Sequence, residues 1–416
     1  MFGLTYHKAY GSKLISFAAA ISRRMKEVVP TTKLTPLRLT NVDAEVATVS
    51  FDNRFNDYAT RLQYRRDDTE EFEDWDLSEL TIEPNEYIEI AGDNSETQGF
   101  LGKFSMNGNN IAASGNIMSL IYGVETTKDA LVIPNGIRFG STHINESGMF
   151  FRCTGLTTAP ELPATTLTED CYYQLFYETG LTAAPKLPAT TLAEHCYSRM
   201  FYNCKGLTTA PKLPATTLAE SCYAQMFRGC ASLTTAPELL ATTLMDWCYY
   251  QMFYGCSGLT TAPELPATTL AQACYSFMFY GCSSLTTAPE LPATTLGVGC
   301  YSAMFESCSS LTTAPELPAT TLAESCYAQM FEGCSSLTTA PELPATTLVK
   351  YCYSYMFSSC TGLNNITVKF TEWGDECTGY WVSNVASSGT FTCPSALDTS
   401  MLGVNAIPAN WTIITV

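Results

Sequence analysis

Catalysis or metal binding requires nucleophiles, acids, bases or ligands at workable spacing, and the thiols are the first candidates among the 18 cysteines, 40 acidic residues and three histidines of this 416-residue chain. Sixteen of the cysteines fall in two recurring columns. One column is Cys171, Cys196, Cys222, Cys248, Cys274, Cys300, Cys326 and Cys352; the other is Cys153, Cys204, Cys230, Cys256, Cys282, Cys308, Cys334 and Cys360. Partners in the two columns lie eight positions apart, roughly 12 Å along a helix, and a disulfide needs Cα atoms within about 7 Å. No repeat offers the short Cys-x-x-Cys spacing of a zinc site. The expectation is buried, unpaired thiols acting as small apolar groups. Cys377 and Cys393 stand outside the columns and could pair with each other. His195 adjoins Cys196, which could suggest a thiol nucleophile. However, the cysteine is expected on an inward stripe and the histidine outside it, which separates base from nucleophile. Three histidines also leave little material for acid–base chemistry. No catalytic, cofactor-binding or metal-binding constellation emerges, and the chain is not expected to be an enzyme.

The acidic residues concentrate in two places. Seven carboxylates crowd the run DDTEEFEDWD (Asp67–Asp76); lacking the glycine and spacing of an EF-hand, it is expected to be a solvated hairpin and not a calcium loop. The second is the column Glu161, Lys186, Lys212, Glu238, Glu264, Glu290, Glu316 and Glu342. From Glu238 on it stacks like charges that must be solvated, ion-bound or paired with a basic partner. A formal charge of −18 and pI near 4.6 exclude nucleic acid as an expected partner, since phosphate binding needs a basic footprint. The strongest binding candidates are aromatic: Tyr173, Tyr177, Tyr202, Trp247, Tyr250, Tyr254, Phe277, Tyr280, Tyr351 and Tyr355. They occupy positions that vary between repeats, and rows of outward rings can stack on sugars or anchor a protein partner. Tyrosines on such a face can also simply cover apolar surface.

What positions these residues is a 26-residue unit, cleanest at Leu311–Ser336, LTTAPELPATTLAESCYAQMFEGCSS. Its leading leucines are Leu156, Leu181, Leu207, Leu233, Leu259, Leu285, Leu311, Leu337 and Leu363, at intervals of 26 except for a first interval of 25. A fixed period of that size marks a solenoid. Within one unit, Pro315 and Pro318 hold an extended segment. Thr321 with Glu324 reads as a capping box for a helix over Leu322–Glu332, with Gly333 as its left-handed exit. Thr166/Glu169, Thr191/Glu194, Thr217/Glu220 and Thr269/Gln272 repeat that box. Cys326, Tyr327, Met330, Phe331 and Cys334 form one stripe, expected to be buried. The first copy departs, with Glu178 where the second cysteine belongs.

Met-Phe-x-Gly-Cys-x-x-Leu followed by a proline-containing extended segment resembles the BspA-like (Treponema-type) leucine-rich repeat, with Phe331, Gly333, Cys334, Ser336 and Leu337 carrying the match. The resemblance implies an α/β leucine-rich-repeat solenoid. The flanks, GNIMSLI before the array and WVSNVASSGTF after it, look like those of proteins from gut bacteria and their tailed phages.

The organisation expected is a basic attachment arm (1–27), an antiparallel β-sandwich module (28–123), an N-terminal capping coil (124–155), an eight-copy array (156–362) and a C-terminal capping subdomain (363–416). In the arm, LISFAAAI is too short to span a bilayer and makes a poor signal peptide with Arg23 and Arg24 behind it. In the capping coil, Val132–Phe139 stands in for LPATTL, and Met149, Phe150 and Cys153 echo the later copies. The functional expectation is a structural or adhesive protein, a phage virion fibre or decoration protein. Residues 1–123 would hold it to other virion or assembly proteins, and the solenoid would bind a host surface protein or carbohydrate. Homo-oligomerisation is expected by analogy with fibres. The alternatives are a bacterial cell-surface adhesin and an intracellular repeat scaffold.

Overall fold

The computed structural model describes residues 34–416 except 54–59, 68, 97–98, 109, 125–131, 135 and 141–147. The basic arm expected at 1–27 lies outside the described residues. The described residues begin with β1 (Leu37–Asn41), β2 (Ala47–Asp52), β3 (Leu62–Arg66), β4 (Glu73–Asp74), β5 (Leu80–Ile82), β6 (Tyr87–Gly92), β7 (Gly99–Phe100), β8 (Lys103–Asn107) and β9 (Ile111–Ser114). A one-turn helix α1 (Ser119–Tyr122), then β10 (Ile137–Arg138) and β11 (Leu156–Thr158), lead into the repeats. Among the described residues three sheets organise this region: one of order β11-β9-β1-β6-β3-β4, one of order β5-β2-β8 and the pair β10-β7. β1 and β2 bury alternate residues, the period-2 pattern of a strand with one apolar face. The acidic run returns on itself as β3 pairs with β4, Gln63 opposite Asp74 and Tyr64 opposite Glu73. β9 pairs parallel with β11, so the sheet passes directly into the first coil.

The expected helix over Leu322–Glu332 is not there. The segment is a ribbon of consecutive tight turns that shares its hydrogen bonds between its own backbone and the next coil. Cys326, Ala328, Met330, Glu332 and Cys334 donate their N–H groups three residues back, to Ala323, Ser325, Tyr327, Gln329 and Phe331. The alternate residues Ser325, Tyr327, Gln329, Phe331 and Gly333 donate across to Lys350, Cys352, Ser354, Met356 and Ser358. Every fourth residue is left-handed: Ser325 at φ 56°, Gln329 at 60° and Gly333 at 74°. Turns with a left-handed third residue therefore alternate with turns without one. A helix would satisfy all its donors locally. This ribbon uses half of them to join coil to coil.

The expected capping boxes dissolve for the same reason. Thr217, Thr243, Thr269 and Thr295 form a parallel ladder of single bridges between coils, so these threonines pair sideways and cap nothing. A second ladder runs through Thr209, Thr235 and Thr261. Between the two ladders the proline segments run extended, with Leu317 and Ala319 buried and Glu316 exposed.

Inside, each inward position becomes a column. The expected stripe is buried: Cys326, Met330, Phe331 and Cys334 at 0% exposure and Tyr327 at 1%. Phenylalanines stack from Phe150 through Phe176, Phe201, Phe227 and on to Phe357, with spacings such as 5.6 Å between Phe201 and Phe227 at an interplanar angle of 4°. Phe104 of β8 stacks on Phe150 at 5.3 Å and closes the near end of that column. All 18 cysteines are unpaired and buried, Cys377 and Cys393 included. The second cysteine column also joins the coils. Cys230, Cys256, Cys282, Cys308, Cys334 and Cys360 each give a thiol hydrogen bond to a phenylalanine carbonyl of the preceding coil, at 2.9–3.2 Å. In the first copy that slot belongs to Thr179, not Glu178. The Thr179 hydroxyl donates to Phe176 O at 3.0 Å and meets Cys204 Sγ at 3.3 Å.

The ribbon continues past the eighth copy. Tyr353 donates to Cys377 and Phe357 to Trp381, and Glu376, Tyr380 and Asn384 keep the left-handed spacing of four. Beyond it β12 (Asn365–Thr367), β13 (Thr390–Cys393) and β14 (Thr412–Thr415) form a parallel sheet.

Candidate binding face

Because the ribbon repeats every four residues, its outward positions also form columns, and these carry the residues that differ from coil to coil. The column six places after the first cysteine reads Tyr177, Tyr202, Arg228, Tyr254, Tyr280, Glu306, Glu332 and Ser358. Tyr177 and Tyr202 stack at 4.5 Å and 8°, and Tyr254 and Tyr280 at 4.2 Å and 5°. Arg228 bridges the two pairs, its guanidinium 5.5 Å from the Tyr202 ring and 3.9 Å from that of Tyr254. The shorter distance is a cation–π contact. Phe151 extends the stack at 4.7 Å from Tyr177. Burial pushes the Tyr177 hydroxyl up to about 12, with Tyr202 and Glu178 adding to it.

A neighbouring cluster sits on the fourth and fifth coils. Trp247 meets Tyr250 edge-on at 5.0 Å, Tyr250 meets Phe277 at 6.1 Å, and Phe277 lies 6.1 Å from Tyr280. The stack and the cluster therefore join at Tyr280. Tyr173 is held by Arg199, whose Nη1 donates to its hydroxyl at 3.0 Å. Tyr355 is apart from them, 40% exposed and stacked at 5.2 Å on Tyr380, itself 52% exposed. Tyr351 lies under Lys350, 4.7 Å away.

Polar residues outside the aromatic set hold this face together. Arg199 Nε donates to Gln225 at 2.5 Å, and Gln225 Nε2 donates to Gln251 at 2.6 Å. Arg228 also donates to Gln251, which in turn donates to the Tyr250 hydroxyl at 2.9 Å. Sequence held a signal for three of them: Arg199, Gln225 and Gln251 stand at the same offset as Phe277 and Tyr355 in their own copies. Past Tyr280 the column turns acidic. Glu306 is half-buried and its carboxyl is pushed up to about 7, first by burial and then by Glu332 beside it. Glu332 accepts hydrogen bonds from Ser358 at 3.3 Å and Gln329 at 3.2 Å.

The geometry limits what the rings can do. Face-to-face stacking occupies both faces of Tyr202 and Tyr254, so they present edges and hydroxyls where sugar stacking would need an open face. On the other side, the glutamates of the proline segments are exposed, and Glu342 pairs with Lys369 at 3.4 Å. His195 and Cys196 do not form a site: Cys196 is fully buried with its thiol pushed up by desolvation, while His195 faces out, 3.4 Å from Glu194. Among the described residues no group of three or more metal-ligating side chains occurs, and no helix is long and apolar enough to cross a membrane.

No curated protein matches the chain. The profile of the BspA type leucine rich repeat region matches it in six copies, over residues 194–314, 248–339 and 272–397. These matches take in the coils that carry the face from Arg199 to Tyr380, and over residues 194–397 the chain is a BspA-like leucine-rich-repeat protein.

Proposed function

We propose that this is a non-enzymatic adhesive protein, a virion fibre or decoration protein of a phage, whose ribbon face binds a host surface protein. One observation carries the reading: the inward columns repeat almost without change, whereas the outward columns concentrate Trp247, Tyr250 and Phe277 on two adjacent coils. Repetition answers to packing, which every coil shares. Departure from repetition on an exposed face answers to something outside the coil, and clustered aromatics are the side chains that anchor protein interfaces. The repeat class supports protein binding. Attachment to a particle rests on the basic arm and the phage-like flanks of the sequence. A host carbohydrate is the less favoured ligand, because both faces of Tyr202 and Tyr254 are already covered.

Neighbouring coils supply substitutions that each slot already tolerates. Trp247→Ser, Tyr250→Ser and Phe277→Gln borrow the residues of Ser221, Ser276 and Gln251. The triple variant is expected to keep its melting temperature and lose about 100-fold or more in binding to host cells, the loss of one or two anchor residues. Unchanged binding by the folded variant overturns the aromatic reading.

A further inference from the structure

We infer that two copies of this chain pair antiparallel through the ribbon face, on a two-fold axis between the Tyr254 and Tyr280 coils. Numbering the coils from their leading leucines, Leu156 opens the first and Leu337 the eighth. Arg228 belongs to the third coil and Glu306 to the sixth. An axis between the fourth and fifth coils sets the third opposite the sixth. Arg228 of one copy then faces Glu306 of the other. Because the axis is a two-fold, that pairing occurs twice. Tyr254 and Tyr280 fall at the centre, Tyr254 of each copy facing Tyr280 of the other.

Three observations favour a second copy as occupant. The column carries Arg228 on one side of its midpoint and Glu306 at the matching place on the other, so these positions are complementary when the column is reversed on itself. Among the described residues, neither Arg228 nor Glu306 has an ion-pair partner within the chain. And the coils scarcely rotate on one another, with interplanar angles of 3–12° along the tyrosine column from Tyr197 to Tyr353. A face with so little twist keeps its columns aligned over the four coils the pairing needs. The columns of Trp247, Tyr250 and Phe277 lie to one side of that axis column, and the pairing does not depend on host binding.

The test is sedimentation velocity on the full chain, with charge reversals borrowed from the same column. Arg228→Glu places the residue of Glu306 in the Arg228 slot, and Glu306→Arg does the converse. The wild type is expected to be a dimer that weakens as salt is added. Each single reversal should loosen it by about tenfold or more by opposing like charges, and the double reversal should restore it. A monomeric wild type, a dimer insensitive to salt, or a double variant no tighter than either single one overturns the proposal. Host-cell binding measured on Glu306→Arg separates this pairing from the adhesive reading: that reversal lies outside the Arg228–Gln251–Tyr250 hydrogen bonds and leaves Trp247, Tyr250 and Phe277 in place.

Discussion

At the scale of single residues, the outward columns show how one slot can hold opposite chemistry. Arg228 and Glu306 occupy equivalent positions three coils apart; one lies over a tyrosine ring, and the other is crowded by burial and by Glu332. The acidic case has a measurable consequence. The folded-state pKa of Glu306 is raised, to about 7 from 4.5. Its carboxyl is protonated in folded and unfolded chains alike at low pH and costs nothing there. As pH rises from about 4.5 to about 7 the unfolded chain ionises first, stability falls, and above that window the cost is complete. Glu306→Gln should therefore raise the melting temperature of the dissociated chain by about 1–2 °C at pH 8 and leave it unchanged at pH 4. Equal effects at both pH values would show that ionisation is not the cause.

At the scale of the element, a period of four imitates one of 3.6. The stripe Cys326, Tyr327, Met330, Phe331, Cys334 spans only eight steps. Over that length a helix drifts by about 80°, still within a single apolar face. Burial was therefore legible and the backbone was not. The left-handed slots are filled by ordinary residues, Ser325, Gln329 and Tyr351 among them, so only Gly333 and its counterparts hinted at positive φ. A substitution separates the two geometries. Ser325→Gly, which copies Gly299 at φ 59°, should stabilise the turn ribbon by about 0.5–1 kcal/mol by relieving a left-handed side chain. In a helix interior it would cost up to about 1 kcal/mol, so the sign in a denaturant titration decides. The cysteine columns belong to this scale too. Denatured without reductant, the chain should titrate 18 thiols. Folded, it should react slowly at all of them, because burial raises thiols such as Cys204 and Cys256 to about 11 and about 12.

At the scale of the whole molecule, stacking sets stability and display together. Each coil contacts chiefly its neighbours, so the array is bound by a sum of like interfaces, and the ends need separate treatment. Phe104 closes the phenylalanine column at the amino-terminal end, and Trp381 follows Phe357 at the other, 6.2 Å away. A scaffold built this way holds outward side chains in straight columns, as an adhesive surface requires. If the chain decorates a virion, mass spectrometry of purified particles should recover it intact from Met1. Recovery of a shortened chain from bacterial envelopes, and none from particles, would favour the cell-surface adhesin.

The sequence by itself determined the period, the inward stripe, the unpaired thiols of the two columns and the outward aromatic set, because each depends only on spacing along the chain. Only the tertiary structure decided that half the ribbon's donors cross to the next coil, that Thr217 and Thr243 pair instead of capping, and that Thr179 fills the missing cysteine slot. It alone also placed Arg228 between two tyrosine stacks. The physical reason is common to all four: in a solenoid a residue's nearest partner is about 26 positions away, and a hydrogen bond or ring contact over that distance exists only once the coils have stacked.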